Sequence, residues 1–461
     1  MSEVSDRPLS FPVRSRVQLW LGTLLGLHIV ACCLSLIFVA EFYAYLKLIM
    51  FDTTRLYGAI MMVAPFAAAS ALFVFARFSF GYFVGFYLYT MVLGYLWLAE
   101  FSLFRYDHLL GAISAFSCAS AFLAPALFLT SPIKQRLVLS EPALDRLLSF
   151  ILVLGTAVVI TGAIYNFRFV GLAEMYSARS ELDLPAFMRY AIGITPNALL
   201  PFAFACFVTR RNHRRAAAAL LLMLLCYPIA LTKLTLLAPF WLLLLTLLSR
   251  FNPRIAVVLS LFLPLSTGLA LSALYKSGAI SYQHFIEWFG SINFRMIAFP
   301  SAAIDVYNDF FSRHDYTYFC QISFLKPFVQ CPYSDPLSIV MAKNYQLGNL
   351  NASLFATEGI ASVGPLLAPF AVLACGFVVA LGNRLSAGLP PSFVLLSGGV
   401  FPQLLLNVPL TTTLLTNGAA LLFLLWYVTP RTMFEHGAGS FSRTRINKQL
   451  LNFCLKLYIR R

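Results

Sequence analysis

Long apolar runs recur along almost the whole chain, separated by short polar segments that carry most of the charge. A run of about 20 apolar residues, wound as a helix, crosses the ~30 Å hydrocarbon layer of a bilayer. Water is absent from that layer and cannot satisfy backbone N–H and C=O groups, so such runs must be helices that bond internally. Twelve spans are read this way, over roughly 17–40, 56–76, 80–99, 111–130, 147–165, 190–208, 216–231, 234–249, 255–274, 361–381, 392–408 and 413–429. The expected fold class is therefore all-α, a polytopic transmembrane helix bundle of about 12 spans. The runs on either side of Lys233 are short, and a re-entrant hairpin or tilted, broken helices are the alternative there.

Composition excludes a soluble fold. Sixty per cent of residues are apolar, 11% are charged and the mean hydropathy is +0.80, which leaves too little polar surface to face water. A net charge of +15 would raise the question of nucleic acid in a soluble protein. Here the basic residues sit in short clusters between apolar runs, the pattern that sets membrane topology, and no nucleic-acid partner is expected. With the amino terminus inside, the inner segments hold Arg7, Arg14, Arg16, Arg77, Lys134, Arg136, Arg146, the four arginines of 210–215, Arg250, Arg254, Arg384 and the seven basic residues from Arg431 onward. These are 21 of the 33 Lys and Arg, against 5 of the 18 acids. The positive-inside rule then places both termini in the cytoplasm. Arg14, Arg16 and the apolar run after them begin like a secretion signal, but the run is long enough to span and lacks a small-residue cleavage site.

Residues 1–440 thus form one transmembrane domain, with two long outer loops at roughly 166–189 and 275–360. Both loops are rich in aromatic and apolar residues, which predicts helices lying on the outer membrane face rather than disorder. The stretch 441–461 alternates Ile446, Leu450, Phe453 and Leu457 with Arg445, Lys448, Lys456, Arg460 and Arg461, as an interfacial helix on anionic cytoplasmic lipid does.

Residues able to carry chemistry are few. Of the nine cysteines, only Cys320 and Cys331 fall in an outer loop. An oxidising location there favours a disulfide over two buried free thiols. No CxxC, HExxH or paired-His pattern occurs, so no metal is expected, and no Walker A sequence or other cofactor motif is present. The spans are nearly empty of the acids that ion-coupled transporters bury, which moves the expected active region to the outer face. Arg168, Arg179, Arg189, Lys233, Lys276, Arg295, Arg313, Lys326 and Lys343 stand on that face. Arginine offers a planar fork that pairs with phosphate, and a cationic pocket at headgroup level suits a lipid-linked diphosphate. The alternative use is ordinary pairing with nearby acids, such as Glu181 and Asp183 beside Arg179.

Three stretches carry a resemblance to a known family. They are Met175-Tyr-Ser-Ala-Arg179-Ser-Glu-Leu before a span, Leu231-Thr-Lys233-Leu-Thr-Leu-Leu between two apolar helices, and Asn349-Leu-Asn351-Ala-Ser-Leu-Phe-Ala-Thr-Glu358-Gly359 leading to Gly364 and a further span. With the overall layout, this resembles bacterial O-antigen and exopolysaccharide repeat-unit polymerases of the Wzy type, within the larger group that includes O-antigen ligases. The resemblance covers most of the chain in layout and only short stretches in motif. Lys233 stands where the family has Arg, keeping the charge but losing the fork. Ligase-like members carry His where Asn349 or Asn351 stands, so no His role transfers to that place.

The resemblance implies a metal-independent membrane glycosyltransferase in the bacterial inner membrane, without cofactor. It would move a growing glycan from its polyprenyl diphosphate carrier to a sugar hydroxyl of the next lipid-linked repeat unit. Its implied partners are the carrier-linked oligosaccharide, membrane lipids and a chain-length regulator protein. Arg179 and Arg295 would hold the leaving diphosphate, with Arg168, Lys233, Arg313 and Asn351 as further substrate contacts. Glu358 or His314 would orient or deprotonate the acceptor hydroxyl. Glu358 equally suits a helix N-terminus for its dipole alone. The alternatives are an O-antigen ligase, for which His314 is the one loop candidate, and a flippase or other transporter of lipid-linked oligosaccharide, which would show pseudo-symmetric halves.

Overall fold

The computed structural model describes residues 11–171, 175, 178, 182, 184–322, 324–347, 350 and 356–434. Among them the fold is all-helical, and the one extended pairing is a single bridge between Ile49 and Ser102. Among the described residues nine helices are long and apolar enough to cross a membrane, which makes the chain a multi-pass membrane protein. They are α1 (Arg16–Phe42), α2 (Thr53–Phe75), α3 (Phe80–Ala99), α4 (His108–Phe128), α5 (Glu141–Tyr165), α6 (Ala186–Thr209), α7 (His213–Ala230), α9 (Pro253–Lys276) and α12 (Thr357–Ser386).

The three other expected spans are shorter or broken. The run 234–249 is α8 (Lys233–Leu248), whose 16 residues give about 24 Å of helix. The run 392–408 splits into α13 (Pro391–Ser397) and α14 (Phe401–Leu405) around Gly398 and Gly399. The last is divided between α15 (Leu410–Leu415) and α16 (Ala419–Val428), with Gly418 at φ 82 between them. Prolines start α13 and precede α15, and glycine occupies each break, so the sequence interrupts the helices where the apolar pattern alone runs on.

α3 is the axis of the bundle, with its whole length buried. α1, α2, α4, α9 and α12 pack around it. The broadest contact elsewhere joins α4 to α12, where the small residues Ala115, Cys118, Ala119 and Ala126 of α4 allow close approach. At one end of the bundle, arginines bond helix carbonyls. Arg254 Nη1 donates to Val74 O (2.8 Å) and Arg384 Nε to Ser131 O (3.2 Å). Arg431 reaches Trp426 O (2.8 Å) and Leu385 O (2.9 Å). The carbonyls of Val74, Trp426 and Leu385 lie at helix ends, where Arg254 and Arg431 complete them, and Arg384 instead ties down the loop that follows α4.

The opposite end carries the long loops and is called the loop face below. Its main element is α10, continuous over 282–311, in which Gly290–Ala298 winds as π-helix between two α-helical parts. Polar side chains tie α10 to the bundle at successive levels. Asn293 Nδ2 donates to Ser35 Oγ (2.6 Å) and Leu265 O (3.2 Å). Ser301 Oγ donates to Met91 O (2.9 Å), in a close approach that the absence of a side chain on Gly94 permits. Further on, α11 (Leu337–Tyr345) and a disulfide between Cys320 and Cys331, Cα–Cα 5.3 Å, organise the rest of the loop.

α12 is broken near its start. Gly364 has φ 77 and ψ 170, outside the helical region, and the part before it folds back so that Gly359 lies against Ala368. A β-carbon on Gly364 would meet the Tyr316 hydroxyl at 2.7 Å. Gly364→Ala is therefore expected to cost about 1–3 kcal/mol. Thermal unfolding of the detergent-solubilised protein measures it, and an unchanged midpoint would contradict the strained backbone.

Candidate functional site

Three stretches far apart in sequence meet at the turn that begins α8. The first is the loop after α5. Asn166 Nδ2 donates to the carbonyls of Pro228 (2.9 Å) and Ile229 (3.3 Å), and the Arg168 amide donates to Pro228 O (3.1 Å). The Tyr227 hydroxyl donates to Val170 O at 2.6 Å. Met175 is buried against Tyr227 and Leu231, with Ala178, Leu182 and Leu236 packed around them. This loop is thus pinned to the end of α7, and the Arg168 side chain is exposed on it.

The second stretch is the turn itself. Leu231 is left-handed (φ 47, ψ 49), and Thr232 then caps α8 by accepting from the Thr235 amide at 3.2 Å. That geometry makes Lys233 the first residue of the helix. The third stretch is the π-helical part of α10, which presents Arg295. Its guanidinium carbon stands 4.5 Å from the centroid of the Phe299 ring. Arg295 is near enough to Lys233 for the two positive charges to act on one another.

Beside Arg295 opens an apolar cleft of about 160 Å³. Val39, Tyr43, Leu46 and Leu48 line one side, and Phe294, Phe299 and Val306 of α10 line the other. Tyr43 stacks on Phe294 at 4.2 Å and lies within the field of Arg295. Burial pushes its hydroxyl above the ordinary tyrosine range, so it stays protonated. An apolar cleft with Arg295 at its side is complementary to an amphiphile with an anionic head.

The remaining candidates fall elsewhere. Arg313 pairs with Asp309, and His314 Nδ1 bonds Phe310 O at 2.8 Å while its ring stacks on Phe310 at 3.9 Å. Both lie past the far end of α10, roughly 25 Å of helix from Arg295. Glu358 accepts from the Leu410 amide at 3.4 Å, and its charge acts on Tyr307 and Cys375. Tyr307, whose hydroxyl donates to Leu350 O (3.1 Å), stands about 18 Å along α10 from Arg295. Arg179, Asn349, Asn351 and the stretch 441–461 lie outside the described residues.

Sequence reading missed a buried acidic group on α10. Asp305 accepts from Tyr106 Oη (2.5 Å) and Ser102 Oγ (2.7 Å), and Tyr106 also bonds Tyr95 (3.0 Å). Asp309 accepts from Tyr345 Oη at 2.7 Å and the Arg105 amide at 3.3 Å. The available signal was the pair of acids four residues apart within the apolar run Ala302–Phe311, a spacing that puts both on one helix face. Among the described residues no set of three or more His, Cys, Asp or Glu is placed to hold a metal. No family model matches the chain, and no curated protein or solved structure matches it either.

Burial raises the Asp305 carboxyl from 3.8 to about 6, more than its two hydroxyl donors lower it. A folded-state value above the unfolded one means that its contribution to stability is present at low pH and lost as pH rises through about 6. The displacement corresponds to about 3 kcal/mol. Unfolding midpoints in detergent should therefore rise between pH 7.5 and 5 more for the wild type than for Asp305→Asn; equal slopes would refute the shift.

Proposed function

We propose that this protein polymerises polyprenyl-diphosphate-linked oligosaccharide repeat units at the outer face of the bacterial cytoplasmic membrane, for O-antigen or exopolysaccharide synthesis. The observation that carries this reading is that Arg295, whose charge is felt at Lys233, stands on α10 beside an apolar cleft at the loop face. In the proposed orientation the loop face is outward, and the arginine-capped end is cytoplasmic. The cleft takes the start of the isoprenoid chain, and the two cations take the diphosphate.

Diphosphate leaves readily once its charge is met, so the protein's main tasks are to hold two lipid-linked substrates together and to stabilise the departing anion. The acceptor hydroxyl attacks the anomeric carbon, the bond from that carbon to the carrier phosphate breaks, and the diphosphate departs with the electron pair. Glu358 is the carboxylate proposed to take the acceptor proton. That role requires the transferred sugar to lie between Arg295 and Tyr307. Arg179 and Asn351 are proposed to complete the site from their two loops. Arg168 is proposed as a peripheral contact, whereas the separation of Arg313 and His314 from the cation pair favours a part in shaping the loop.

The alternatives share parts of this site and are separated by phenotype. Deleting the gene in the producing strain should leave surface glycan of single repeats. Loss of all lipid-A-linked glycan would indicate ligation instead, and cytoplasmic accumulation of carrier-linked repeats would indicate transport. In complemented cells, Arg295→Ala is expected to lower polymer formation by about 10²–10³-fold. Lys233→Arg should keep it, because the charge remains and a fork is added. Full-length polymer from a Lys233→Ala, Arg295→Ala double variant would overturn the proposal.

A further inference from the structure

A second cleft, of about 140 Å³, lies on the loop face where the start of α4, the end of α10 and the break in α12 come together. It is lined by Tyr106, Asp107, Asn308, Phe311, Ser312 and Tyr316, with Gly111 and Pro365 among its other walls. Lys233 and Arg295 are not among its lining residues. Its chemistry also differs, because aromatic rings alternate with neutral or acidic polar groups and no cation lines it.

The rings are held in place before anything binds. Tyr316 lies between Phe311, stacked with centroids 6.3 Å apart, and Gly364, whose missing side chain lets the hydroxyl approach. The Tyr106 hydroxyl is fixed by Asp305 at 2.5 Å and Tyr95 at 3.0 Å. Gly111 keeps the floor open, since a β-carbon there would meet Tyr106 at 3.0 Å and Tyr95 Oη at 2.5 Å. The polar groups keep capacity for a ligand. Asp107 gives one carboxylate oxygen to the Leu110 amide (2.9 Å) as the cap of α4, and its side chain is exposed. The Asn308 amide nitrogen is committed to Ile304 O (2.9 Å) and Tyr95 Oη (3.4 Å).

Rigid aromatic faces beside planar polar side chains suit a ligand with apolar C–H faces and a rim of hydroxyls. The cleft is small and opens on the loop face, which suits one ring rather than an extended chain. We infer that this cleft is a saccharide subsite that takes a single uncharged pyranose ring, stacked on Tyr316 and Tyr106 and hydrogen-bonded through its hydroxyls to Asp107 and Asn308. The inference does not depend on the transfer reaction. Failure of sugar binding here would leave the function proposed above standing, and loss of that function would leave the subsite standing.

The test is saturation-transfer NMR on the full chain in nanodiscs, with methyl glycosides of glucose, galactose, mannose and N-acetylglucosamine as probes. At least one should bind saturably in the millimolar range. Tyr316→Ala, which removes the ring, and Ser312→Trp, which fills the cleft from its exposed rim, should each weaken that binding at least tenfold. Tyr316→Phe keeps the face and should bind within about twofold of wild type. Saturable binding by none of the four probes would overturn the inference. So would binding that Ser312→Trp leaves unchanged.

Discussion

Asn293, Ser301 and Asp305 follow one another along α10 and bond, in turn, to Ser35 and Leu265, to Met91, and to Ser102 and Tyr106. These bonds fasten one helix across α1, α9 and α3, which are themselves joined by the buried pairs His28–Thr90 (3.0 Å) and Tyr87–Ser260 (2.8 Å). In such surroundings a buried polar group without a partner is costly, so each bond strongly specifies where α10 lies. The position of α10 then sets the rest of the loop face. Its π-helical middle presents Arg295 towards Lys233, its apolar side closes the first cleft, and its end forms a wall of the second.

The membrane character and most spans were legible because the pattern is long and repeated. Nine helices coincide with runs of about 20 apolar residues. Where an expected span is broken in the structure, the cause is local. Gly398, Gly399 and Gly418 interrupt helices inside runs whose hydropathy does not change, and a window average hides one glycine. The π-helical part of α10 was not legible at all, since the Asn293–Ser35 bond that holds it joins residues 258 positions apart.

The candidate site was legible in kind but only in part by residue. Lys233 stood out as a cation in a short turn between apolar helices, and Arg295 as a cation in an aromatic loop. That they come together depends on Leu231 turning left-handed and on the π-helical winding before Phe299. Arg313 looked equivalent in sequence, yet Asp309 lies four residues before it, near the end of α10, and pairs with it. Asp305 escaped attention because an acid in a long loop on the membrane face reads as solvated. The fold buries it instead, among hydroxyls drawn from the loop before α4.

Arg254 and Arg431 donate to backbone carbonyls at helix ends, and in the proposed orientation both also belong to the basic clusters on the cytoplasmic side. One residue therefore serves both the route by which the chain is threaded and the finished architecture. Evolution cannot redistribute these charges freely between loops, because moving one leaves a helix terminus bare even where the overall bias is kept. A drift in sidedness would have to be accompanied by new terminal donors, which restricts how such a bundle can be inverted or duplicated in tandem.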